Sequence, residues 1–502
     1  MPEPLPADSP PWITERARRD PTAPALRIMA DRGHGDARAG RRDGERMRSF
    51  GDVAASVEEL AARLTALGVR AGDRVALLME SSARMVELLH ATQRCLATVV
   101  PLNTRLAAPE VAAVVADAAP RLVLYDRELR QRLALAASPG LRFVEAEDEL
   151  DRVAAGAAPP LGALDPAALH TLVYTSGTTG APKGVMLTHA NHAASAAASR
   201  ANLGVAAGDH WLEALPLDHV GGLSIVLRAV LDGVPVTVQP RFDPARVRAA
   251  IRDGAITLLS LVPTMLHRLL EDTGAERFPP SAPRAVLIGG AAASPALLAR
   301  ARAAGLPVLP TYGLTEAASQ VTTASPRGAC PRTAAGMSLP GTEIRIADPD
   351  AHGCGEILVR GPTVMAGYFQ NPAATAEALR GGWLHTGDLG RVDDGGFLHV
   401  LDRRSDLVVS GGENVYPAEV EAVLAAHPDV DEAAVHGRPH PVWGHELVAT
   451  IVTRDGRAVD AEALGAWCRA RLAGYKVPRS FRRVAALPRT PSGKLRRHLL
   501  SS

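Results

Sequence analysis

Residues 171–184 read Thr171-Leu172-Val173-Tyr174-Thr175-Ser176-Gly177-Thr178-Thr179-Gly180-Ala181-Pro182-Lys183-Gly184. An apolar strand, Thr171–Val173, runs into a loop that carries the hydroxyls of Thr175, Ser176, Thr178 and Thr179, with glycines among them, and ends on a lysine. Glycines let backbone N–H groups approach an anion, hydroxyls add donors, and Lys183 supplies a mobile positive charge. The combination suits a phosphate. It is not the GxxxxGK[ST] loop, because Pro182 precedes the lysine and Gly184 follows it.

The surroundings of this loop set the fold. Upstream, Val53, Val57, Leu60, Leu64 and Leu67 recur at helical spacing until Gly68, and Arg74–Met79, Ala97–Leu102 and Arg121–Tyr125 read as buried strands. Downstream, Val234–Val238, Ile256–Leu261 and Ala285–Ile288 repeat the rhythm. Strands alternating with helices predict parallel β-α units and doubly wound α/β sheets. After Gly341 the runs shorten (Glu343–Ile346, Glu356–Val359, Phe397–Leu401), which predicts an antiparallel subdomain or a small β-barrel-like one. Residues 1–402 are expected to form the large N-terminal domain, and residues 403–502 a small mobile α+β domain hinged to it. Within the first 50 residues, a short helix at Trp12–Arg18 is expected among exposed loop.

Composition excludes several function classes. The 502 residues carry 55 Lys+Arg against 54 Asp+Glu, a net charge of +1, and only 4 % are aromatic, so no nucleic-acid partner is expected. Cys95, Cys330, Cys354 and Cys468 are far apart and form no CxxC pair, which argues against a zinc site or disulfide framework and for a reducing cytoplasm. No apolar run approaches the roughly 18 residues of a membrane span. Pro2, Pro4, Pro6 and Asp8 do not have the order of a signal peptide. Oligomeric state is left open, a homodimer being one option.

Four further blocks follow the first. In Tyr312-Gly313-Leu314-Thr315-Glu316, a carboxylate beside a hydroxyl suits Mg²⁺, which prefers oxygen ligands shared with phosphates. Trp383-Leu384-His385-Thr386-Gly387-Asp388 comes next. Asp402-Arg403-Arg404-Ser405-Asp406 then runs into Ser410-Gly411-Gly412-Glu413-Asn414, and Pro491-Ser492-Gly493-Lys494 lies near the end.

In this order the five blocks resemble the adenylate-forming superfamily of acyl-CoA synthetases, luciferases and peptide-synthetase adenylation domains, over roughly residues 50 to 500. The resemblance implies ATP, Mg²⁺ and coenzyme A as reactants and cofactors. It places Thr175, Ser176, Gly177, Thr178, Thr179 and Lys183 at the phosphates, and adds Gly289, Gly290 and Ala291 to the nucleotide site. It puts Tyr312 against adenine, Thr315 at the α-phosphate, Glu316 on the metal, Asp388 on the ribose hydroxyls and Arg403 near the ribose. Ser405 falls at the hinge position, where the family often has Asp or Lys, and Gly411-Gly412 would line the pantetheine tunnel. Lys494 matches the catalytic lysine, a cation that favours the charge gathering at phosphorus when a carboxylate attacks. Two half-reactions then follow, acyl-adenylate formation and displacement of AMP by a thiol.

Leu215–Ser224 resembles the substrate wall of acyl- and aryl-CoA ligases, with His219 orienting the carboxylate and Asp218 where a Phe is usual. Asp218 would set a negative charge near the acid. Asp218–Ser224 also imitates the DxxGGxS carrier-protein signature, yet it lies inside the core, and no carrier-sized region follows Lys494. Thr311–Thr323, Val400–Leu407 and Gly411–Glu421 resemble the o-succinylbenzoate–CoA ligases of menaquinone biosynthesis, Ser319 and Gln320 being the more specific positions. A dicarboxylate needs polar partners at its distal end, for which His219 and Ser319 are the candidates, with Gly313 on the same wall. Alternatives are a CoA ligase for another aryl or medium-chain carboxylic acid, an amino-acid-adenylating enzyme, and a non-catalytic nucleotide-binding regulatory protein. Retention of Lys183, Glu316, Asp388, Arg403 and Lys494 together favours an enzyme.

Overall fold

The apolar runs form four sheets in the structure, a computed structural model that describes residues 6, 8–29, 46–136, 140–175, 182–271, 277–279, 283–291, 293–402, 408–454, 460–488 and 499–500. In the first sheet, Pro24–Ile28, Val236–Val238, Trp211–Glu213, Leu258–Leu261, Ala285–Ile288 and Val308–Leu314 lie parallel, in that order. Ser319–Thr323 and Met337–Ser338 extend it antiparallel at one end, Arg48–Ser49 at the other. The second sheet sets Leu169–Thr175, Thr98–Pro101, Arg74–Leu78, Leu122–Tyr125 and Arg142–Glu145 in parallel, with Lys183–Thr188 antiparallel beside Leu169–Thr175. The residues flanking the expected phosphate loop are therefore the ends of two neighbouring strands.

The expected layers follow from burial. One core joins facing sides of the two large sheets with helices Phe50–Ala66, Ala83–Arg94 and Val220–Asp232. The outer face of the first sheet packs under helices Pro244–Arg252, Pro263–Glu271 and Pro295–Ala303, that of the second under Ala108–Ala118. Phe50–Ala66 starts on a capping box, Ser49 accepting from the Asp52 N–H while Asp52 accepts from the Ser49 N–H. It buries Val53, Val57, Leu60 and Leu64, the residues whose spacing predicts it.

The expected short helix is present as Trp12–Arg19, whereas the described residues just after it differ from the expected exposed loop. Helix Trp12–Arg19 buries Trp12 and Ile13 completely, and Pro24–Ile28 is a sheet strand, not exposed loop. Its parallel partner is about two hundred residues away (Leu26 opposite Val236), and a five-residue strand carries too little local pattern to announce itself. Arg16 is fully buried and donates to the carbonyls of Val230 (3.0 Å) and Leu231 (2.7 Å), closing the C-terminal end of helix Val220–Asp232. Nearby, His170 and His189 stack with ring centroids 4.8 Å apart, with Trp12 edge-on to both.

Glu343–Ala347, Gly355–Arg360, Trp383–Val392, Leu379–Arg380 and Leu398–Asp402 make the antiparallel subdomain expected after Gly341. A fourth sheet, Glu413–Val415, Val408–Ser410, Gly444–Thr453, Val430–His440 and Ser480–Arg483, packs with helices Pro417–Ala425 and Ala461–Arg469 around its own core. The expected boundary residue Arg403 and hinge residue Ser405 lie in 403–407, outside the described residues. Among the described residues, no helix is long and apolar enough to cross a membrane.

Candidate active site

A cavity of about 300 Å³ opens at the carboxyl ends of the parallel strands of the first sheet, the usual ligand position in such folds. Residues that follow two of these strands line one side of it: Val262 after Leu258–Leu261, and Gly289 and Gly290 after Ala285–Ile288. Thr311, Gly313, Thr315 and Glu316 come from strand Val308–Leu314 and the turn beyond it. Thr175, His219, Ser319, Asp388, Gly411 and Gly412 complete the set of sequence candidates that face this space. Tyr312 is buried behind the wall and donates from its hydroxyl to Asp388 Oδ2 (2.8 Å), while Ala291 lies on the turn past Gly290. Ser176, Gly177, Thr178, Thr179, Arg403 and Lys494 are outside the described residues.

At one end, oxygen donors collect. Tyr368 donates to Glu316 Oε1 (2.8 Å), and the Lys183 ammonium lies 5.2 Å above the Tyr368 ring, so the lysine and the carboxylate flank one aromatic side chain. Asp388 receives the Tyr312 hydroxyl, and its own N–H donates to Thr386 Oγ1 (3.1 Å). Among the described residues, no group of three or more His, Cys, Asp or Glu side chains could hold a metal ion.

The other end is built by helix Val220–Asp232. Gly221, Ser224 and Arg228 lie on one face of it, three and four residues apart, and all three line the cavity. Arg228 is buried, donates from Nη2 to Gln320 Oε1 (3.1 Å) and lies 5.4 Å from the Trp211 ring. Its Nε is buried with no hydrogen-bond partner among the described residues. Burial lowers the guanidinium to about 10 against the pull of Asp232, so it is still a cation at neutral pH. Ser224 Oγ donates to Ser319 Oγ (3.3 Å). Ser319 itself holds a left-handed φ of 98°, and a Cβ on Gly313 would come within 1.6 Å of the Ser319 carbonyl oxygen. The hairpin that presents Ser319 and Gln320 thus depends on a glycine opposite a strained serine.

The mouth brings in the fourth sheet. Gly411 and Gly412 both have positive φ, and a Cβ on Gly412 would lie 3.1 Å from Val262. Glu413 Oε2 lies 3.2 Å from His219 Nε2 and accepts from Arg105 Nη1 on Oε1 (2.7 Å). Burial opposes the charge on His219, but Glu413 and Asp218 outweigh it and raise the imidazole. Glu413 is driven down to about 2, His219 and Arg105 overcoming its own burial. Asp218 does not reach the cavity wall: it is buried behind His219, 3.6 Å from Nε2, and burial raises it to about 6. Asp218 thus meets the cavity through His219 and not from its wall.

Sequence reasoning missed Arg228. The signal was present, since this arginine is the one charge inside the apolar run Leu223-Ser224-Ile225-Val226-Leu227-Arg228-Ala229-Val230-Leu231, and a buried charge needs a reason.

Comparison with known proteins points to the same family as the motifs. The chain is 43 % identical over 474 residues to 2-succinylbenzoate–CoA ligase of Geobacillus kaustophilus, covering 91 % of this chain and 93 % of that one. Among solved structures, o-succinylbenzoate CoA synthetase from Bacillus subtilis, as a double mutant bound to its product analogue OSB-NCoA, superposes with a TM-score of 0.89 at 38 % identity and 98 % coverage of both chains. The Bacillus subtilis synthetase with the acyl-adenylate intermediate OSB-AMP gives a TM-score of 0.72 at 37 % identity, again with 98 % of both chains covered. The family model for AMP-binding enzymes matches residues 13–369, and that for the AMP-binding enzyme C-terminal domain matches 419–494. The first match alone covers well over half of the chain, and the chain belongs to the AMP-binding enzyme family.

Proposed function

We propose that this chain is an ATP-dependent acid–CoA ligase that converts o-succinylbenzoate to its CoA thioester through an acyl-adenylate, in menaquinone biosynthesis. The observation that carries the choice of acid is Arg228. A dianionic acid has one carboxylate to activate and one that stays ionised in the pocket. Buried without a counter-charge, the second would be strongly disfavoured. Arg228, which lines the cavity and whose Nη2 is held by Gln320, is a fixed cation for that group. An acid with a single carboxylate leaves it unused, which weighs against the medium-chain and simple aryl alternatives. The relatives' activity, as their names state it, agrees with this choice.

In the first half-reaction a carboxylate oxygen attacks the α-phosphorus of ATP, and the bond to pyrophosphate breaks. Thr315 is the hydroxyl at the α-phosphate and Lys494 the cation toward which charge develops. Asp388, held by Tyr312, is placed to accept from the ribose hydroxyls, a task suited to a carboxylate. Glu316, an oxygen donor on the cavity wall beside the Thr315 hydroxyl, fits Mg²⁺, which takes one or two carboxylates and fills its shell with phosphate oxygens and water. When bound, the ion neutralises phosphate charge. In the second half-reaction the CoA sulfur attacks the acyl carbon and AMP leaves, with Gly411 and Gly412 leaving room for the thiol's approach. The two family matches bracket the proposed boundary between residues 402 and 403. The four described cysteines are free thiols, in keeping with a cytoplasmic enzyme.

Thioester formation with ATP, Mg²⁺ and CoA across o-succinylbenzoate, benzoates, cinnamates, fatty acids and amino acids tests the reading. A clear preference for o-succinylbenzoate is expected. Turnover of another acid in its place would discard the substrate, and nucleotide binding without turnover of any acid would discard the enzyme.

A further inference from the structure

Lys476 is a lysine with 3 % of its surface exposed, and its ammonium touches two carboxylates, Glu110 Oε1 and Glu419 Oε1, each at 2.6 Å. Glu419 belongs to helix Pro417–Ala425, in the same unit as Lys476. Glu110 belongs to helix Ala108–Ala118, under the second sheet of the large unit. One buried cation therefore ties the two units together. The Glu110 carboxylate is held ready for it, because its other oxygen accepts from the Ala107 N–H (2.8 Å) and caps the helix start. Burial works against the ammonium, but Glu419 and Glu110 outweigh it and raise its pKa, so the cation persists. Tyr475, next in the chain, lies under the Arg105 guanidinium (4.6 Å), which in turn donates to Glu413 beside Gly412.

The pair Lys476–Glu419 is internal to the small unit and travels with it. Lys476–Glu110 exists only when the small unit lies as it does here, with Gly411 and Gly412 lining the cavity. Over the whole chain this arrangement agrees better with the Bacillus subtilis synthetase holding a CoA product analogue (TM-score 0.89) than with its AMP (0.73) or OSB-AMP (0.72) complexes, at nearly the same identity and the same coverage.

We infer that Lys476 and Glu110 are a positioning pair for the thioester-forming half-reaction, holding the small unit in the orientation that presents Gly411 and Gly412 to the acyl-adenylate. This rests on the two half-reactions proposed above. Removing the Glu110 charge weakens that orientation alone, since Lys476 keeps Glu419 and the small unit keeps its core.

The test is Glu110→Gln, which preserves the shape of the side chain and an oxygen for the Ala107 cap. ATP–pyrophosphate exchange with o-succinylbenzoate reports the first half-reaction, and thioester formation from supplied acyl-adenylate reports the second. Exchange is expected at the wild-type level. For the second step, kcat/KM for CoA is expected to fall about tenfold or more, the size of a typical coupling between sites. Most of the fall should come as a higher KM, because fewer molecules hold the competent orientation. Equal loss in both half-reactions would mean a merely structural contact, and no loss in the second would mean that the pair positions nothing; either overturns the inference. A wild-type enzyme that exchanges pyrophosphate yet forms no thioester would overturn the ligase reading itself, and the pair's role with it.

Discussion

At the nucleotide end of the cavity the polar groups stand on strands and the turns beyond them, Thr315 and Glu316 just past Val308–Leu314 and Asp388 within Trp383–Val392. At the acyl end the decisive charge comes from inside a helix, Arg228 in Val220–Asp232, and its partner Gln320 is 92 residues away. Loop chemistry is written in contiguous blocks of glycine, threonine and acidic residues, because backbone and side chain act together there. Helix-face chemistry is dispersed and becomes a site only after packing. The reaction type and the choice of acid are thus stored in different ways, and substitutions should separate them.

The largest separation is expected from Arg228→Met. It should lower kcat/KM for o-succinylbenzoate by about 3 kcal/mol or more, over a hundredfold, the cost of a buried charge left unpaired. KM for ATP should stay as it is. Next is Asp388→Ala, which should weaken ATP by about 2–3 kcal/mol through lost charge-assisted hydrogen bonds. Steady-state KM for ATP and the ranking of acids read it together, and a changed ranking would break the division between the two ends. Gln320→Leu should cost about 1 kcal/mol for the acid only, since it removes one acceptor from Arg228 and leaves the cation in place.

Mild acid should leave Arg228, held at about 10, and Glu413, held at about 2, in their charged forms, and at the cavity its effect should fall on Asp218 behind His219, which burial raises to about 6. The fold itself is more sensitive. Burial holds His90 at about 4, His189 at about 4, His192 at about 3 and His170 well below its ordinary 6.5. These groups stay neutral in the folded chain while the unfolded chain takes up protons below pH 6.5, so stability is full above that pH and falls between 6.5 and about 4. The loss is about 1.4 kcal/mol per pH unit for each histidine. Thermal melting should show Tm dropping from pH 7 to 5.5, and a flat profile would mean that water or a relaxed packing satisfies the cluster.

Most of the fold was legible because its strands are apolar runs separated by well-capped helices; Arg74–Leu78, Leu122–Tyr125 and Ala285–Ile288 fall where the pattern puts them, within a residue of each end. Pro24–Ile28 was not, since its pairing is non-local. At the site, eleven of the residues given a role from the sequence meet in one cavity: Thr175, His219, Gly289, Gly290, Gly313, Thr315, Glu316, Ser319, Asp388, Gly411 and Gly412. Arg228 escaped because periodicity assigns its helix to the core, where nothing in a single sequence says which neighbour a charge will find. The same holds for Glu110 and Lys476, which are 366 residues apart.

The central claim is that Arg228 reads the second carboxylate of the acid. The most direct measurement is the rate of CoA-thioester formation with o-succinylbenzoate against its analogue lacking the ring carboxylate, in wild type and in Arg228→Met. Wild type should prefer the dicarboxylate by about a hundredfold or more, and the variant should lose that preference while keeping its rate on the analogue. Equal rates on the two acids in wild type, or a preference that survives Arg228→Met, would contradict the account.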